Sequence, residues 1–362
     1  GIDPRQEKRD KRAAYDAKRA DDKRAEASFK TAWIAYVDER GPKWGTRYRD
    51  DHLYAIAGKK SPQPLASLID LRLVDLTEKR ISAWLAKESD KRPTQAAGAF
   101  RKLRAFANWC AENEAYAGLM DPAIFQQKRV VEAVPKSKAK DDCLQREQLK
   151  PWFAAVRKLH SPIQSAYLQV LLLIGSRREE LAALQWDDID FQWKSMRIRD
   201  KVEGQRVIPL TPYVASLLLD LKRRNETPPP SHRIVRGKRI ANDLDNWAPS
   251  PWVFAGRGAT GRIVRPNTAH DQALADAGLP AMTLHGLRRS FGTLSEWCEV
   301  PVGVVAQIQG HKPSALAEKY YRRRPLDLLR NWHTRIEAWI LAEAGMEQSH
   351  QEETAPTLWV VA

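Results

Sequence analysis

Ile174-Gly175-Ser176-Arg177-Arg178-Glu179-Glu180-Leu181, read with His285-Gly286-Leu287-Arg288, Gly310-His311 and Tyr320-Tyr321, decides how this chain is organised and what chemistry it can carry. Gly175 separates two apolar runs and puts Arg177 at a break between helices. The N–H groups and partial positive charge of a helix N-terminus there would reinforce any anion held by the guanidinium. His285 and Arg288, three apart at a helix start, share one face, while Leu287, Phe291 and Leu294 take the opposite, buried one. His311 opens the next helix, and Tyr320 and Tyr321 fall late in that segment with rings pointing different ways. Such groups suit a phosphodiester. Guanidinium forks match its two non-bridging oxygens, and a tyrosine oxygen can take phosphorus as a covalent ester.

Composition narrows the partner. The 362 residues carry a formal charge of +15 and a pI near 9.7, which favours a polyanion such as nucleic acid. The hydrophobic fraction of 43% supports globular domains rather than disorder. No run approaches the apolar length of a membrane span, and no secretory signal is visible. Cys110, Cys143 and Cys298 have neither disulfide-framework nor zinc spacing, which points to a reducing cytoplasm. No clustered Asp/Glu set of the kind a two-metal nuclease needs is seen, which fits the expectation of no metal and no cofactor that the resemblance described below implies.

Along the chain, residues 1–27 alternate basic and acidic groups, as in a solvated helix or a disordered lead-in. Residues 28–125 show helical spacing: Phe29, Trp33, Tyr36 and Val37, then Ile81, Trp84 and Leu85, then Phe100, Leu103, Phe106 and Cys110. They are expected to form a small all-helical domain. Residues 126–142 read as an extended basic linker, with Lys128, Arg129, Lys136, Lys138 and Lys140 as candidate contacts to a DNA backbone. Residues 143–345 form the second domain, and 346–362 a tail.

Helices are expected at 148–159, 162–174, 177–186 and 211–224, and again from about Pro266, Leu284, Val302, Ser314 and Leu326. Strands 195–199 and 206–210 flank a glycine turn with Lys201 at the end of the first strand. The stretch from 227 to 251, rich in proline and basic residues, reads as a long loop. The fold class is therefore mainly α with a small β-hairpin or sheet.

Taken in order, these motifs resemble the tyrosine recombinase (phage integrase) family. The first box corresponds to Gly175-Ser176-Arg177 with Glu180-Leu181, and the hairpin lysine before Val-Ile-Pro-Leu to Lys201. The second box corresponds to His285-Gly-Leu-Arg288, then Gly310-His311, then the tyrosine. The segment from Gly310 to Leu329 is most similar to prophage and genomic-island integrases. Residues 28–125 resemble the family's helical, SAM-like core-binding domain. Many of those relatives end the segment in Lys-His-Tyr, which makes Tyr321 the nucleophile; the spacing in other recombinases would point to Tyr320. Ser176 departs from the hydrophobic residue usual before the first arginine. The opening Gly-Ile-Asp-Pro resembles the stretch just after an N-terminal arm-binding domain in such integrases, and that domain is expected to be lacking here.

The resemblance implies a two-domain clamp on double-stranded DNA, acting in the bacterial cytoplasm at the nucleoid as a homo-tetramer. DNA-bending accessory proteins are potential partners, and a membrane is not. Cleavage and rejoining would pass through a 3′-phosphotyrosine, integrating or excising a mobile element. Arg177 and Arg288 would clamp the non-bridging oxygens, His311 would bond them, and His285 would take the phenol proton. Lys201 would protonate the leaving 5′-oxygen, Glu180 would orient its neighbours, and Arg289 would contact DNA. The apolar stripe Leu329, Trp332, Ile336, Trp339 and Ile340 would pack on its own domain or dock on a neighbouring subunit. A type IB topoisomerase-like enzyme and a non-catalytic DNA-binding regulator of the same fold are the alternatives.

Overall fold

An aromatic core organises the first of the two units into which the chain divides, Gly1–Ala139 and Lys140–Ala362. The computed structural model describes residues 4–57, 63–136, 140–200, 204–235, 238–242, 244–264, 266–311 and 324–346. The first unit contains helices α1 (Pro4–Ala25), α2 (Phe29–Arg40), α3 (Thr46–Ile56), α4 (Glu78–Lys91), α5 (Pro93–Glu112) and α6 (Lys128–Glu132). The Ser28 hydroxyl starts α2 by accepting the Thr31 N–H, and Thr77 does the same for α4 through Arg80. Between α4 and α5 the chain turns because Pro93 forces Arg92 out of the helical region, to φ −154°.

Phe29, Trp33 and Phe106 interlock with centroids 5.2–5.4 Å apart, and Tyr36 and Trp109 extend the cluster. Three buried indole N–H groups find partners: Trp33 donates to the His52 carbonyl and Trp109 to Glu39, both at 3.0 Å, and Trp84 to the Pro64 carbonyl at 2.7 Å. The basic linker begins later than the sequence suggests. Residues 128–132 are helical, and Val130, 1% exposed, belongs to this core.

In the second unit α7 (Leu149–Arg157) precedes α8 (Pro162–Ile174), and every residue from Ser165 to Ile174 in α8 is buried. A helix apolar all round must be central, and α7, α10 (Pro212–Glu226) and α12 (Leu284–Ser295) pack against it. Strands β1 (Ile189–Asp190), β2 (Ser195–Asp200) and β3 (Gly204–Pro209) form an antiparallel sheet in that order. Their alternation sends Met196, Ile198 and Ile208 into the core.

The helix expected over 177–186 is only α9 (Arg178–Ala182). Asp188 then accepts the Gln185 N–H, and the chain turns into β1, a strand the sequence did not reveal. The proline-rich stretch is likewise not all loop. It holds a hairpin of β4 (His232–Val235) and β5 (Lys238–Ala241). Helices α11 (Asn267–Asp276), α13 (Val302–Gln309) and α14 (Leu326–Glu343) complete the described unit. The helix expected from Ser314 lies outside the described residues. Among them no helix is long and apolar enough to cross a membrane.

Helix α14 packs its stripe on its own unit, with Trp332 and Trp339 partly buried against the core. Leu329, Ile336, Ile340 and Leu341 are buried in the core of their own unit. On the same helix Glu337 accepts N–H groups of Tyr213 at 2.8 Å and Val214 at 3.2 Å, and the Thr211 hydroxyl, capping α10. Burial pushes the Glu337 carboxyl up, and these three donors oppose it. We expect Ile336→Ala to lower the stability of this unit by about 2–5 kcal/mol, read as a lower midpoint in urea unfolding.

Candidate functional site

The site begins where α8 stops. Gly175 adopts φ +58°, and its N–H bonds the Leu171 carbonyl as a left-handed cap. A Cβ there would lie 2.6 Å from the Phe291 ring, so glycine is required twice over. Ser176 is fully buried, and Arg177 emerges as the cap of α9. The sequence suggested that this helix start would present open N–H groups to an anion. Instead the Arg177 N–H donates to Glu180 Oε2 at 3.1 Å, and α9 is a single turn of five residues. An internal carboxylate already holds that position. Arg177 offers its side chain instead: Nη1 donates to Glu180 Oε1 at 2.5 Å and Nη2 to the Gly310 carbonyl at 3.4 Å.

Glu180 has a second guanidinium partner that the sequence reading did not single out. Arg206, 7% exposed on β3, donates from Nη2 to Glu180 Oε2 at 2.9 Å. Its Nη1 reaches Asp200 at 3.2 Å, and its Nε reaches the Ile308 carbonyl at 3.1 Å. One residue thus ties the two hairpin strands to α9 and α13. Gly310, at φ +72°, ends α13 and lets this arginine approach; a Cβ would sit 2.6 Å from Arg206 Nη1. The signal for Arg206 was the alternation itself. An arginine two residues before inward Ile208 faces the core, where a guanidinium needs an acid.

Helix α12 brings the second box. Thr283 caps it by accepting the Gly286 N–H at 3.1 Å. His285 stands exposed on the first turn, but Arg288 is 4% exposed and buried along with Leu287, not on a face opposite it. Arg288 Nη1 donates to the Gly175 and Gln309 carbonyls, both at 2.8 Å. Gln309 Nε2 returns a bond to the Arg288 carbonyl at 2.8 Å. Among the described residues no hydrogen bond engages Arg288 Nε or Nη2. Below these groups lies a cleft of about 550 Å³ whose lining includes His285, Arg288, Arg289, Gln309 and His311.

The closeness of these groups shifts their proton affinities. Burial, then Arg177 and Arg206, bring the Arg288 guanidinium down to about 10, against the pull of Glu180. It remains a cation at neutral pH. Partial desolvation at the cleft wall lowers His285 too, although the residue is largely exposed, with Arg289 and Arg288 next; Asp142 opposes them and Arg177 adds to them. His311 is lowered by burial and then by Arg288, Arg177, Arg206 and His285. Each imidazole therefore resists protonation beside cations, and an anion entering the cleft would relieve that strain.

Arg177, Glu180, His285, Arg288 and His311 are thus drawn together from three separate stretches. Lys201, Tyr320 and Tyr321 lie outside the described residues, as does Lys138. Lys128 and Arg129 sit on α6, where Lys128 is exposed 4.0 Å from Glu132 and Arg129 pairs with Glu78. Lys136 and Lys140 are exposed. Arg289 is half-buried, its Nη2 bound to Asp142 and its Nε to the Asp142 carbonyl at 3.2 Å, so its donors face protein.

Comparisons with known proteins agree on the type of molecule. Residues 28–132 match the phage integrase core-binding domain and residues 143–326 the phage integrase family. The chain is 49% identical over 366 residues to prophage integrase IntF of Escherichia coli (strain K12), covering 96% of this chain and 74% of that protein. It is 26% identical over 258 residues to tyrosine recombinase XerC of Mycobacterium tuberculosis (strain ATCC 25177 / H37Ra), covering 68% of this chain and 78% of that one. Its fold resembles a lambda integrase tetramer bound to a Holliday junction, with TM-score 0.59, 14% identity, and 83% and 80% of the two chains covered. The Tn1549 transposon integrase in complex with circular intermediate DNA gives TM-score 0.57 at 14% identity, covering 84% of this chain and 98% of that one.

The buried pairing of Arg206 gives a direct expectation. Arg206→Ala leaves Glu180 and Asp200 without their common partner and should destabilise the second unit by about 3–5 kcal/mol, measurable by denaturant unfolding.

Proposed function

The chain belongs to the phage integrase family of tyrosine recombinases, and on that basis we propose that it cleaves and rejoins double-stranded DNA at specific sites. It acts through a 3′-phosphotyrosine to integrate or excise a mobile element. The observation that carries this reading is the pair of hydrogen bonds that Arg288 Nη1 donates to the Gly175 and Gln309 carbonyls. It supports a single cationic pocket assembled from both arginine boxes and the Gly-His box.

In this reading a phosphodiester occupies the cleft with its non-bridging oxygens on Arg177 and Arg288, and His311 adds a hydrogen bond. The Tyr321 phenol oxygen attacks phosphorus. The O–P bond forms, the bond to the 5′-oxygen breaks, and the phenol proton passes to His285. Lys201 gives a proton to the departing 5′-oxygen. The low affinity of His285 for protons keeps it neutral and able to accept one at physiological pH. Strand exchange follows when the 5′-hydroxyl of a second duplex attacks the phosphotyrosine: the new 5′-O–P bond forms, the Tyr321 O–P bond breaks, Lys201 takes the hydroxyl proton and His285 returns one to the phenol oxygen. The phosphate ester bond conserves the energy, and the guanidiniums answer the charge of the transition state, so neither ATP nor a metal is needed.

Glu180 and Arg206 act by holding Arg177 and the hairpin in place. The exposed Lys128, Lys136 and Lys140 suit contacts to the DNA backbone, as does Lys138 in the same basic stretch. Four protomers assemble on two duplexes at the nucleoid in the bacterial cytoplasm, with DNA-bending proteins as helpers. Residues 28–125 and 143–345 serve as the core-binding and catalytic domains, consistent with the two family matches.

Nicked suicide duplexes with a randomised core test the proposal by trapping covalent protein–DNA adducts. The unmodified chain should form adducts, Tyr321→Phe should form none, and Tyr320→Phe should retain them. Loss of adducts in Tyr320→Phe alone would move the nucleophile one position, and an absence of adducts from the unmodified chain would overturn the reading. Arg288→Lys, a point charge that cannot bridge both carbonyls and phosphate, should slow adduct formation about 10²–10³-fold. The recovered sites, placed in pairs, should recombine in the presence of EDTA. Relaxation of supercoils without exchange between paired sites would instead support a type IB topoisomerase.

A further inference from the structure

Asp142 occupies a position that neither the sequence motifs nor the chemistry above assigns. One of its carboxylate oxygens accepts the Thr283 N–H at 2.7 Å and the Thr283 hydroxyl at 2.8 Å; the other pairs with Arg289. Its backbone carbonyl takes Arg289 Nε at 3.2 Å. Two residues on, the Leu144 N–H donates to Ser290 at 2.7 Å. The opening segment of the second unit is thus stapled along the first two turns of α12, between Thr283 and Ser290. His285 stands inside that staple. The approach is close: a Cβ on Gly286 would lie 2.7 Å from the Asp142 carbonyl.

We infer that Asp142 is a positioning residue for His285, fixing the first turn of α12 and setting the charge balance around the imidazole; this rests on the recombinase reading of the site. The physical case has two parts. The first is geometric. Asp142 binds the cap residue of the helix, two positions before His285, and the arginine four positions after it, so the turn carrying the imidazole is held at both ends. The second is electrostatic. The groups facing His285 are Arg288 and Arg289 on its own helix, Arg177 at the start of α9, His311 beyond α13, and Asp142. Asp142 is the anion among them, opposing the three arginines. Asp141 and Glu296 lie along the same cleft. Burial alone would raise the Asp142 carboxyl, but Thr283 and Arg289 bring it below its ordinary value, so it stays ionised through the working pH range.

Two substitutions separate positioning from mere folding. Asp142→Asn keeps an acceptor for Thr283 and loses the charge; Asp142→Ala loses both. The first readout is the titration of the His285 ring protons by NMR, assigned by their disappearance in His285→Gln. It requires no DNA. Loss of the carboxylate should move the His285 midpoint to lower pH in both variants. The second readout is the rate of adduct formation on nicked duplexes recovered with the unmodified chain. Asp142→Ala should be about ten- to a hundred-fold slower, with Asp142→Asn between it and the parent. The acid limb of the rate profile should follow the His285 midpoint downward. Non-covalent retention of a mixed-sequence duplex should not change.

An unmoved His285 midpoint in Asp142→Asn would overturn the inference. So would a variant that folds, binds DNA and cleaves at the parental rate with an unchanged acid limb. Should Asp142→Ala fail to fold, Asp142→Asn decides alone. If the unmodified chain yields no adducts at all, the recombinase reading fails, while the titration still decides whether Asp142 tunes this imidazole.

Discussion

A buried guanidinium bound to two backbone carbonyls holds this catalytic unit's cleft together. Arg288 reaches Gly175, at the end of the central helix, and Gln309, at the end of α13, with bonds of 2.8 Å each. The carbonyls satisfy Nη1 without cancelling the guanidinium's charge. A carboxylate in their place would make a tighter pair and leave nothing for an incoming phosphate. Three segments far apart in the chain meet because the buried end of one side chain, Nη1, must find acceptors inside the protein.

Arg206 is the counterpart. It is as deeply buried, but its partners are Glu180 and Asp200, so its charge is spent inside the protein. Buried ion pairs of this kind contribute little net stability, because desolvation offsets attraction, yet they tolerate few arrangements. Glu180 is shared between Arg206 and Arg177, so the position of one guanidinium constrains the other. That division explains why three arginines crowd a small volume without a matching set of acids. Arg206 fixes the hairpin and the Gly310 turn, while Arg288 keeps positive charge facing the cleft.

Packing supplies the frame. The all-round apolar α8 can only be central, and it ends in a glycine that leaves no room for a side chain. Helix α14 closes over the same core through Leu329, Ile336 and Ile340, and its Glu337 caps α10. This stripe is satisfied within its own chain. A carboxylate 2% exposed is held there by three donors, and such a network accepts one placement of the helix.

What is local or periodic could be read directly from the order of residues. Apolar spacing located α8, α12 and α14, a glycine between β-rich runs located the β2–β3 hairpin, and order along the chain located the arginine, histidine and Gly-His boxes. It misplaced what depends on distant contacts. Residues 128–132 looked like linker because a single valine joins them to the core. The stretch 177–186 looked like one helix because the Asp188 turn is weakly marked, and β4–β5 was hidden among prolines. Arg206 and Asp142 were passed over because a lone arginine on a strand and a lone aspartate in a connector are ordinary in sequence. Only tertiary structure gave them partners, since a charge acquires meaning from the opposite charge that folding brings within 3 Å, and Arg206 meets Glu180 at 2.9 Å.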